Sequence, residues 1–498
     1  MNLWFLVTER VGVAKSELVF ATAVDLAARI KRQEISSEEL LKLFWDRVDR
    51  YNPEINAIVW QIRERALELA KKADQQIRQG DSNLGPLHGV PMTVKESYDV
   101  VDTPTTWGIP MLKQNFPQED ALAIRRLKEA GAIIFGKTNV PFGLADFQSY
   151  NDIYGCTNNP WDLARSPGGS SGGSAAALAM GFTGLDSGSD IGGSIRNPAH
   201  FCGLFGHKPT WNLIPPRGHS PPGILAPPDL SAVGPLARSA HDLKLALEVM
   251  MGPDEIQSRG LRVDLPNLTK KADELCVAVW EDDSVAPVDA KVMQKVRKVA
   301  DTLESLGAHI DWEARPDVSM DELLRSYQCL LNATLHCRIP ADEFRRLVND
   351  LSDVDEFDDS PDSKLMLSPI ARYRDWVQFH EARTRVRWAW HEFFSKFDVL
   401  LAPIMATSAY PHDHGPFHER TITVNGEPQP YFKQLFWAGL AINAYLPSTV
   451  IPTGLCEVDQ LPIGVQVIGP EYGDMITIEL AHILEQEGYR FTPPPDYS

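Results

Sequence analysis

Two short glycine–serine groups lie near the middle of the chain. Gly168-Gly169-Ser170 and Gly192-Gly193-Ser194 place two serine hydroxyls 24 residues apart. Consecutive glycines let the backbone adopt conformations that other residues avoid, and they bring N–H groups close to a bound atom. An oxyanion hole, which stabilises the negative oxygen of an acyl-transfer intermediate, needs such N–H groups. The pattern therefore predicts a serine nucleophile beside a backbone anion site. A flexible linker is the alternative for the first group, but the alanine-rich run that follows it favours a closely packed helix.

A serine hydroxyl becomes a nucleophile only when a neighbouring group takes its proton. Neither glycine–serine group contains a histidine, but Lys95 follows an apolar, strand-like stretch, residues 90–94. Burial of that amine would lower its pKa from about 10.4 and make it a base. A surface lysine paired with Glu96 fits the same local sequence equally well. The residues alone leave both interpretations open.

The elements around these residues alternate between helix and strand. Ser36 and Glu39 form a capping-box pattern, which predicts a helix that stops at Asn52-Pro53. Further helices are expected at residues 63–79 and 121–130, and strands at 90–94 and 132–135. This alternation predicts an α/β protein whose sheet is buried between helical layers.

The second half of the chain continues the pattern. Strands are expected at 276–279, 308–312, 399–402, 448–451 and 465–468, and helices at 288–306 and 475–485. Residues 320–397 are predicted to be wholly helical, with the acidic run 354–363 as a solvated loop. No repeat or long Gly/Ser linker divides the chain. We therefore expect one domain, 1–498, with a catalytic core at 85–215 and a mostly helical, variable region at 320–440 near the substrate entrance.

Composition restricts the function class. The 498 residues include 48 Lys and Arg against 67 Asp and Glu, a net charge of −19 that disfavours nucleic acid as a partner. No apolar run approaches the roughly 20 residues of a membrane span, so no membrane partner is expected. The opening segment MNLWFLVTER lacks a preceding positive region and is interpreted as an ordinary segment rather than a signal peptide. The six scattered cysteines indicate buried structural thiols in the cytoplasm.

Several motifs together resemble a known family. GGSSGGSAAALA followed by GSDIGGSIRNPAHFCGLFGHKPT resembles the defining sequence of the amidase signature hydrolases, and GVPMTVKESYDV resembles their lysine-bearing strand. Further matches in the family's order extend from about residue 20 to 487. The resemblance implies a large, mixed, twisted β-sheet between α-helices with a helical elaboration. It also implies an amidohydrolase that cleaves a C–N bond without metal or organic cofactor, with esters and carbamates (urethanes) as further substrate classes.

The family's catalytic groups fall on specific residues here. The resemblance implies that Ser194 is the nucleophile, Ser170 the proton relay after a cis peptide bond, and Lys95 the base. It further implies an oxyanion hole from the backbone N–H groups of Ile191, Gly192, Gly193 and Ser194. Ser171 is expected to support the network by hydrogen bonding. Asp190 and Arg196 flank the nucleophile, and we expect them to pair and hold the loop, with two independent solvated charges as the alternative.

The substrate, by contrast, is poorly specified by the sequence. Ile191, His207 and the segment after Thr210 depart from the commoner family pattern, and that segment is expected near the site entrance. The substrate is expected to be a small molecule, and its pocket could be lined by Tyr98, Phe142, Leu144, Tyr150, Trp211, Ile214 and Trp437. Each of these side chains also fits a core position.

Three other interpretations compete with this one. Gly169–Gly173 matches G-x-S-x-G, which would make Ser171 a nucleophile provided that a strand precedes it. His412, His414 and His418 resemble a metal-ligand cluster, but the segment is broken by proline and a solvated loop is favoured, so no metal is expected. Finally, the family includes the glutaminase component of a tRNA-dependent amidotransferase complex, whereas a stand-alone enzyme would most often be a homodimer.

Overall fold

The computed structural model describes residues 15–498, so the opening segment MNLWFLVTER lies outside the described residues. Within the described part of the chain, no helix combines the length and the apolar character needed to cross a bilayer.

An eight-stranded mixed sheet forms the centre of the molecule. In spatial order its strands are His309–Asp311, Cys276–Val279, Val399–Pro403, Pro462–Ile468, Ser448–Leu455, Phe205–Lys208, Ala232–Ala237 and Asp186–Asp190. The first three pair in parallel and all the other neighbours are antiparallel. Asp186–Asp190 therefore lies at one edge, directly before the second glycine–serine group.

A separate three-stranded sheet carries the candidate base. Pro91–Lys95 pairs in parallel with Ile133–Thr138, which pairs antiparallel with Ile58–Gln61. Both Pro91–Lys95 and Ile133–Thr138 are buried along their whole length, as apolar strands covered on two faces should be. Pro91–Lys95 is an edge strand of the small sheet and packs beside Asp186–Asp190, an edge strand of the large sheet, so the two sheets meet along these edges.

Helices cover both sheets. They comprise Lys15–Phe20, Ala23–Lys31, Ser37–Ile55, Arg63–Arg78, Leu122–Glu129, Gly172–Ala179, Arg196–Cys202, Ala240–Met250, Ala290–Ser305, Met320–His336, Ala341–Asp350, Pro361–Leu367, Tyr373–Phe394, Leu435–Ile442 and Asp474–Gln486. The predicted α/β class and layered sheet are confirmed. The expected stop at Asn52-Pro53 is wrong: the helix continues through Pro53 at the loss of one backbone hydrogen bond, ends at Ile55 and is capped by Asn56 in the left-handed conformation.

The alanine-rich helix Gly172–Ala179 is buried on all sides. A Cβ atom on Gly173 would lie 2.3 Å from the backbone nitrogen of Asn139, and one on Gly172 would lie 2.4 Å from Ser149 Oγ. Glycine is therefore required for this close approach. The linker interpretation of residues 168–174 is wrong because the segment is part of the packed interior.

The segment 320–397 is less helical than predicted. Proline and capping residues divide it, with Pro340 and Ser360 at helix N-caps, and residues 351–360 lie outside any helix. Beyond Phe394 the chain enters the central sheet and then forms the hairpin Thr421–Val424 and Glu427–Pro430. The expected burial of every cysteine is also wrong, because Cys337 is exposed and Cys156 and Cys276 are only partly buried, although all six thiols are free.

Candidate active site

Lys95 lies at the end of its strand with no exposure to solvent. Its Nζ donates to Ser170 Oγ at 2.7 Å and to Ser189 Oγ at 2.9 Å. The alternative of a surface ion pair with Glu96 is wrong, because the Glu96 carboxylate is itself buried and accepts the backbone N–H groups of Thr106 and Trp107.

The electrostatic surroundings of Lys95 favour its neutral form. Burial lowers the pKa of the amine to about 7, and the carboxylates of Asp190 and Asp186 offset part of that effect. Burial also raises the pKa of Asp186 to about 7, although Thr93 Oγ1 donates a hydrogen bond of 2.5 Å to its carboxyl group. An amine with this pKa can take a proton at neutral pH, which an ordinary lysine cannot do.

Ser170 lies in a tightly constrained loop. The Gly169–Ser170 peptide bond is cis, and Gly168 has φ +89°. Gly169 N–H donates to Asn197 Oδ1 at 3.0 Å, while Ser149 Oγ donates to Gly168 O at 3.1 Å. These contacts hold the Ser170 hydroxyl, itself almost fully buried, against the Lys95 amine.

Ser194 belongs to the second glycine loop, which is joined to the first through the backbone. Ser171 N–H donates to Ser194 O at 3.1 Å. Within residues 15–498, no hydrogen bond joins the Ser170 and Ser194 hydroxyls directly. Ser194 as a residue is 5% exposed, against 1% for Ser170, so Ser194 is the more accessible of the two.

The four amides expected to form an oxyanion hole are not equivalent. Gly193 N–H donates to Asp190 Oδ1 at 2.8 Å, so in this conformation it is not free for a substrate oxygen. The N–H groups of Ile191, Gly192 and Ser194 make no hydrogen bond to any described residue. Gly193 has φ +107°, a conformation that favours glycine, which explains the residue type at this position.

Asp190 and Arg196 form a buried, two-pronged ion pair rather than two solvated charges. Arg196 Nε lies 3.0 Å from Asp190 Oδ2 and Nη2 lies 3.1 Å from Oδ1. Burial alone would raise the pKa of Asp190, but Arg196 holds it below the ordinary value. Because Asp190 also accepts the N–H groups of Gly193 and Ile195, the pair fixes the loop on both sides of Ser194.

Ser171 lies in the wrong structural context for a nucleophile elbow. No strand directly precedes it, and its hydroxyl is fully buried and makes long contacts of 3.4 Å with the backbone of Ser189. The strand–turn–helix geometry required by G-x-S-x-G is therefore missing.

The seven pocket candidates occupy different environments. Tyr98, Ile214 and Trp437 are enclosed in the interior; Tyr98 Oη donates to Gly188 O and Trp437 Nε1 to Ala286 O. Phe142 is exposed, Leu144 and Tyr150 are partly buried, and Trp211 stacks on Tyr445 with ring centroids 4.7 Å apart. Of these seven, Trp211 packs in the same apolar cluster as Ile191, next to the glycine loop.

Sequence reasoning missed several residues that hold the site. Ser189 contacts Lys95 directly, Asn197 accepts from Gly169, and Tyr327 donates to Ile191 O at 2.9 Å from the distant helix Met320–His336. Ser189 and Asn197 stand within the glycine-rich motif around Ser194, so their place in that motif was the signal that could have found them. Tyr327 lies 136 positions from its partner, and no local pattern points to it.

A second cluster of polar side chains lies outside this site. Two of the three histidines in the segment 411–418 converge on Cys156, whereas His418 points to solvent beside Glu419. Cys156 was not linked to these histidines in the sequence. Within the described residues, this is the group of side chains that could hold a metal ion.

Known proteins resemble the chain over nearly its whole length. The family model for amidases matches residues 39–477. The indoleacetamide hydrolase of Bradyrhizobium diazoefficiens is 34% identical, covering 93% of this chain and 86% of that protein. The A subunit of glutamyl-tRNA(Gln) amidotransferase from Carboxydothermus hydrogenoformans is 32% identical, covering 94% and 98%. The crystal structure of a bacterial aryl acylamidase of the amidase signature enzymes has a TM-score of 0.78 at 25% identity, covering 96% and 97%.

The chain belongs to the amidase signature family. It is an amidase, a hydrolase that acts on carbon–nitrogen bonds other than peptide bonds.

Proposed function

We propose that this amidase is a stand-alone amidohydrolase of small amides, in which Ser194 is the nucleophile, Ser170 the relay and Lys95 the base. The observation that carries this proposal is the contact of 2.7 Å between the fully buried Lys95 amine and Ser170 Oγ. A buried amine with a pKa of about 7 that contacts a serine hydroxyl is the arrangement that a lysine base requires.

The reaction begins with two coupled proton transfers. Neutral Lys95 accepts the Ser170 proton, and Ser170 accepts the Ser194 proton as Ser194 Oγ forms a bond to the substrate carbonyl carbon. The Ser194 hydroxyl must turn toward Ser170 for this step, which a bound substrate would favour, since catalytic hydrogen bonds are often loose without one. The relay then protonates the departing amine as the C–N bond breaks, and water releases the acyl group by the reverse route.

The negative oxygen formed in this step needs donors that no protein group occupies. We assign this role to the N–H groups of Ile191, Gly192 and Ser194, while Gly193 N–H stays with Asp190. Loss of one oxyanion donor costs on the order of 10²–10³ in rate. Asp190 and Arg196 therefore act as positioning residues, because they hold the loop that carries these donors.

Substrate selection is proposed to depend on the helical region. A cavity of about 460 Å³ lies between the segment Pro227–Asp229 and the helices of residues 320–376, and its lining includes Phe344 and Trp376. The Trp211 indole donates to Pro228 O, which connects this cavity to the apolar cluster beside Ile191. Because apolar and aromatic side chains line the cavity together with polar ones, it suits a substrate with an aromatic or alkyl group. Esters and carbamates are further proposed substrate classes.

A second function is supported by the relatives. Several carry the name of the A subunit of glutamyl-tRNA(Gln) amidotransferase and cover nearly the whole chain. In that role the chain would release ammonia from glutamine within a complex. The two functions differ in their first substrate: the isolated chain should hydrolyse indoleacetamide or an anilide if it stands alone, and glutamine if it works within a complex. A homodimer and a cytoplasmic location stay predictions.

The test is covalent labelling of the nucleophile. A fluorophosphonate should add one label per chain, and peptide mapping should find it on Ser194. Lys95→Ala and Ser170→Ala should lose labelling, whereas Ser171→Cys, which keeps a small polar side chain, is the matched control and should still be labelled. A label on Ser171, or labelling that survives in Lys95→Ala, would contradict the proposed roles.

A further inference from the structure

Three side chains from two distant parts of the sequence come together beside the hairpin Tyr150–Asn151 and Gly155–Cys156. One ligand atom from each of Cys156, His412 and His414 lies within 4.8 Å of the others. Cys156 Sγ is 3.6 Å from His412 Nδ1 and 3.9 Å from His414 Nε2. Thiolate and imidazole are the ligands that zinc prefers in proteins.

The tautomer of His412 is fixed by its neighbour. Asn158 Nδ2 donates to Glu54 O at 2.8 Å, which orients the amide so that its oxygen faces His412. His412 Nε2 must then be the protonated nitrogen, since it lies 3.1 Å from Asn158 Oδ1, which can only accept. The unprotonated nitrogen is then Nδ1, which is also the ring nitrogen nearer to Cys156 Sγ, at 3.6 Å against 4.0 Å for Nε2. An outer partner that orients an imidazole in this way is typical of metal-ligating histidines.

The distances also fit a tetrahedral ion. A Zn–S bond of about 2.3 Å and a Zn–N bond of about 2.05 Å at the tetrahedral angle separate sulfur from nitrogen by about 3.6 Å. The two S···N separations here, 3.6 and 3.9 Å, lie close to that value, and the His412 ring would have to turn so that Nδ1 faces the ion, because Sγ is at present only 4.0 Å from its Nε2. An ordinary S–H···N hydrogen bond to His412 would explain the first separation but not the approach of the second imidazole.

The backbone on both sides of the cluster is held in place. Gln148 binds Asp413 through both ends of its amide, at 2.6 Å to Asp413 O and 3.0 Å from Asp413 N. His414 stacks on Tyr150 with ring centroids 3.8 Å apart and planes 18° from parallel. The ligands therefore lie on a frame formed by other contacts, which lowers the entropic cost of ordering them around an ion.

We propose that Cys156, His412 and His414 form a three-ligand site for a thiolate-preferring divalent transition ion such as Zn²⁺. The thiol proton is released to solvent as the S–metal bond forms, and a water molecule completes the tetrahedron, because His414 lies at the surface. Magnesium and calcium do not suit this donor set, since both require oxygen ligands. This differs from the solvated-loop interpretation of the three histidines, which now applies only to His418.

Ion binding would stabilise the segment that holds the loop of the relay serine in place. The residue that precedes the hairpin, Ser149, donates its hydroxyl to Gly168 O and accepts Gly172 N–H at 3.0 Å, on either side of the cis bond before Ser170. A bound ion would thus link residues 412–414, through the hairpin and Ser149, to the loop that carries Ser170. It takes no part in the reaction itself.

The test is titration of the chelator-treated full chain with Co²⁺, followed by displacement with Zn²⁺. Wild type should bind one Co²⁺ per chain, with the intense visible bands of four-coordinate cobalt and a near-ultraviolet thiolate-to-metal band. Cys156→Ser should lose the thiolate band and bind at least about 100-fold more weakly, and Asn158→Ala about 10-fold more weakly. His418→Ala and Cys337→Ser are the matched controls and should bind as wild type does.

A folding readout separates site loss from misfolding. Without metal, all variants should have far-ultraviolet circular dichroism like that of wild type; Zn²⁺ should raise the melting temperature of wild type and His418→Ala but not of Cys156→Ser or His414→Ala. The proposal is overturned if wild type takes up no Co²⁺, if Cys156→Ser keeps the wild-type spectrum and affinity, or if His418→Ala abolishes binding. Any of these results would leave the cluster as an S–H···N hydrogen bond with a neighbouring imidazole.

Discussion

The loops around Ser170 and Ser194 and the helices of residues 320–394 hold their charges in opposite ways. Lys95, Asp190 and Arg196 are fully buried, and each has several fixed partners. On the helices, most ion pairs lie at the surface, as those of Arg325 and Arg385 do, with side chains one third to four fifths exposed. An exception is Arg383, which is buried and pairs with Asp229. Buried charge is costly unless it is paired, whereas surface charge is screened and contributes little. We therefore expect substitutions of the buried charges around Ser170 and Ser194 to reduce activity strongly, and substitutions of surface charges on the helices to have little effect.

Of the substitutions that test this comparison, replacement of Lys95 by methionine should lower activity the most. Removal of a general base costs on the order of 10²–10⁴ in rate, and we expect kcat to fall toward the upper end while the fold is kept. The matched control is Lys137→Met. Lys137 is also buried, with its pKa lowered to about 8, but its Nζ donates to Pro104 O at 2.6 Å and to Thr105 Oγ1 at 3.0 Å.

Lys137→Met should lose stability, by about 1–3 kcal/mol for the carbonyl and hydroxyl left without a donor, and keep kcat within about tenfold. Urea denaturation and initial rates on one amide substrate measure both quantities. If the two variants lose activity in equal measure, burial of an amine rather than its contact with Ser170 explains the loss, and the proposed base is wrong.

The buried ion pair gives the next largest effect. Asp190→Asn leaves the Arg196 guanidinium without its counter-charge and should lower the free energy of unfolding by about 3–5 kcal/mol. Adding Arg196→Met should recover part of that loss, because no unpaired charge then remains in the interior. Urea denaturation of both variants measures this, and equal stability of Asp190→Asn and wild type would show that the pair does not hold the loop.

The sequence predicted the parts of the molecule that depend on local chemistry. An apolar run before a lysine predicts a buried strand, so the position of Lys95 at a strand end followed from the local pattern. The cis bond before Ser170 was implied only by the resemblance to the family. Predicted helix and strand ends were mostly correct to within two or three residues. The stop at Asn52-Pro53 failed because the proline removes only one backbone hydrogen bond, so the helix continues to Ile55 and Asn56 caps it.

Contacts between segments that are distant in the sequence could not be predicted. Tyr327 meets Ile191 O from a separate helical layer, and Cys156 meets His412 and His414 from more than 250 positions away. No periodicity or spacing encodes such meetings, since they depend on how the sheets and helices pack. For the same reason, the sequence could not distinguish residues that line a pocket from residues of the core. Tyr98 and Trp437, both pocket candidates, are interior side chains with their own hydrogen-bond partners.

The pH profile tests the buried amine by a different route. Lys95 must be neutral to act, and its pKa is about 7, so kcat should rise with pH through neutrality and level off above about pH 8. Below about pH 6 it should fall about tenfold per pH unit, as for a single essential base. Asp186, whose pKa is also raised to about 7, is a second buried group in this range, and it is close enough to Lys95 to affect the pKa of the amine.

Asp186→Asn distinguishes the two groups. The Asp186 carboxylate raises the pKa of Lys95, so its removal should move the profile to lower pH if the lysine is the essential base. A profile that loses its dependence on pH in Asp186→Asn would instead assign the titration to the carboxyl group. Rates measured under single-turnover conditions keep product release from hiding the effect.

The substitution Tyr327→Phe should have the smallest effect on activity. Tyr327 lies where the helices of residues 320–394 meet the loop around Ser194. Its hydroxyl donates to Ile191 O, so Tyr327→Phe removes one hydrogen bond, worth about 0.5–1.5 kcal/mol, from the loop that carries the proposed oxyanion donors. Arg325→Ala, two residues earlier on the same helix, removes ion pairs with Asp321 and Asp362 that are worth about 0–1 kcal/mol. If the helix only fills space, the two variants should behave alike. If Tyr327 positions the oxyanion loop, kcat should fall several-fold in Tyr327→Phe with KM unchanged, and Arg325→Ala should leave both constants as they are. Since the tyrosine touches no reacting atom, only this split between kcat and KM distinguishes positioning from simple packing.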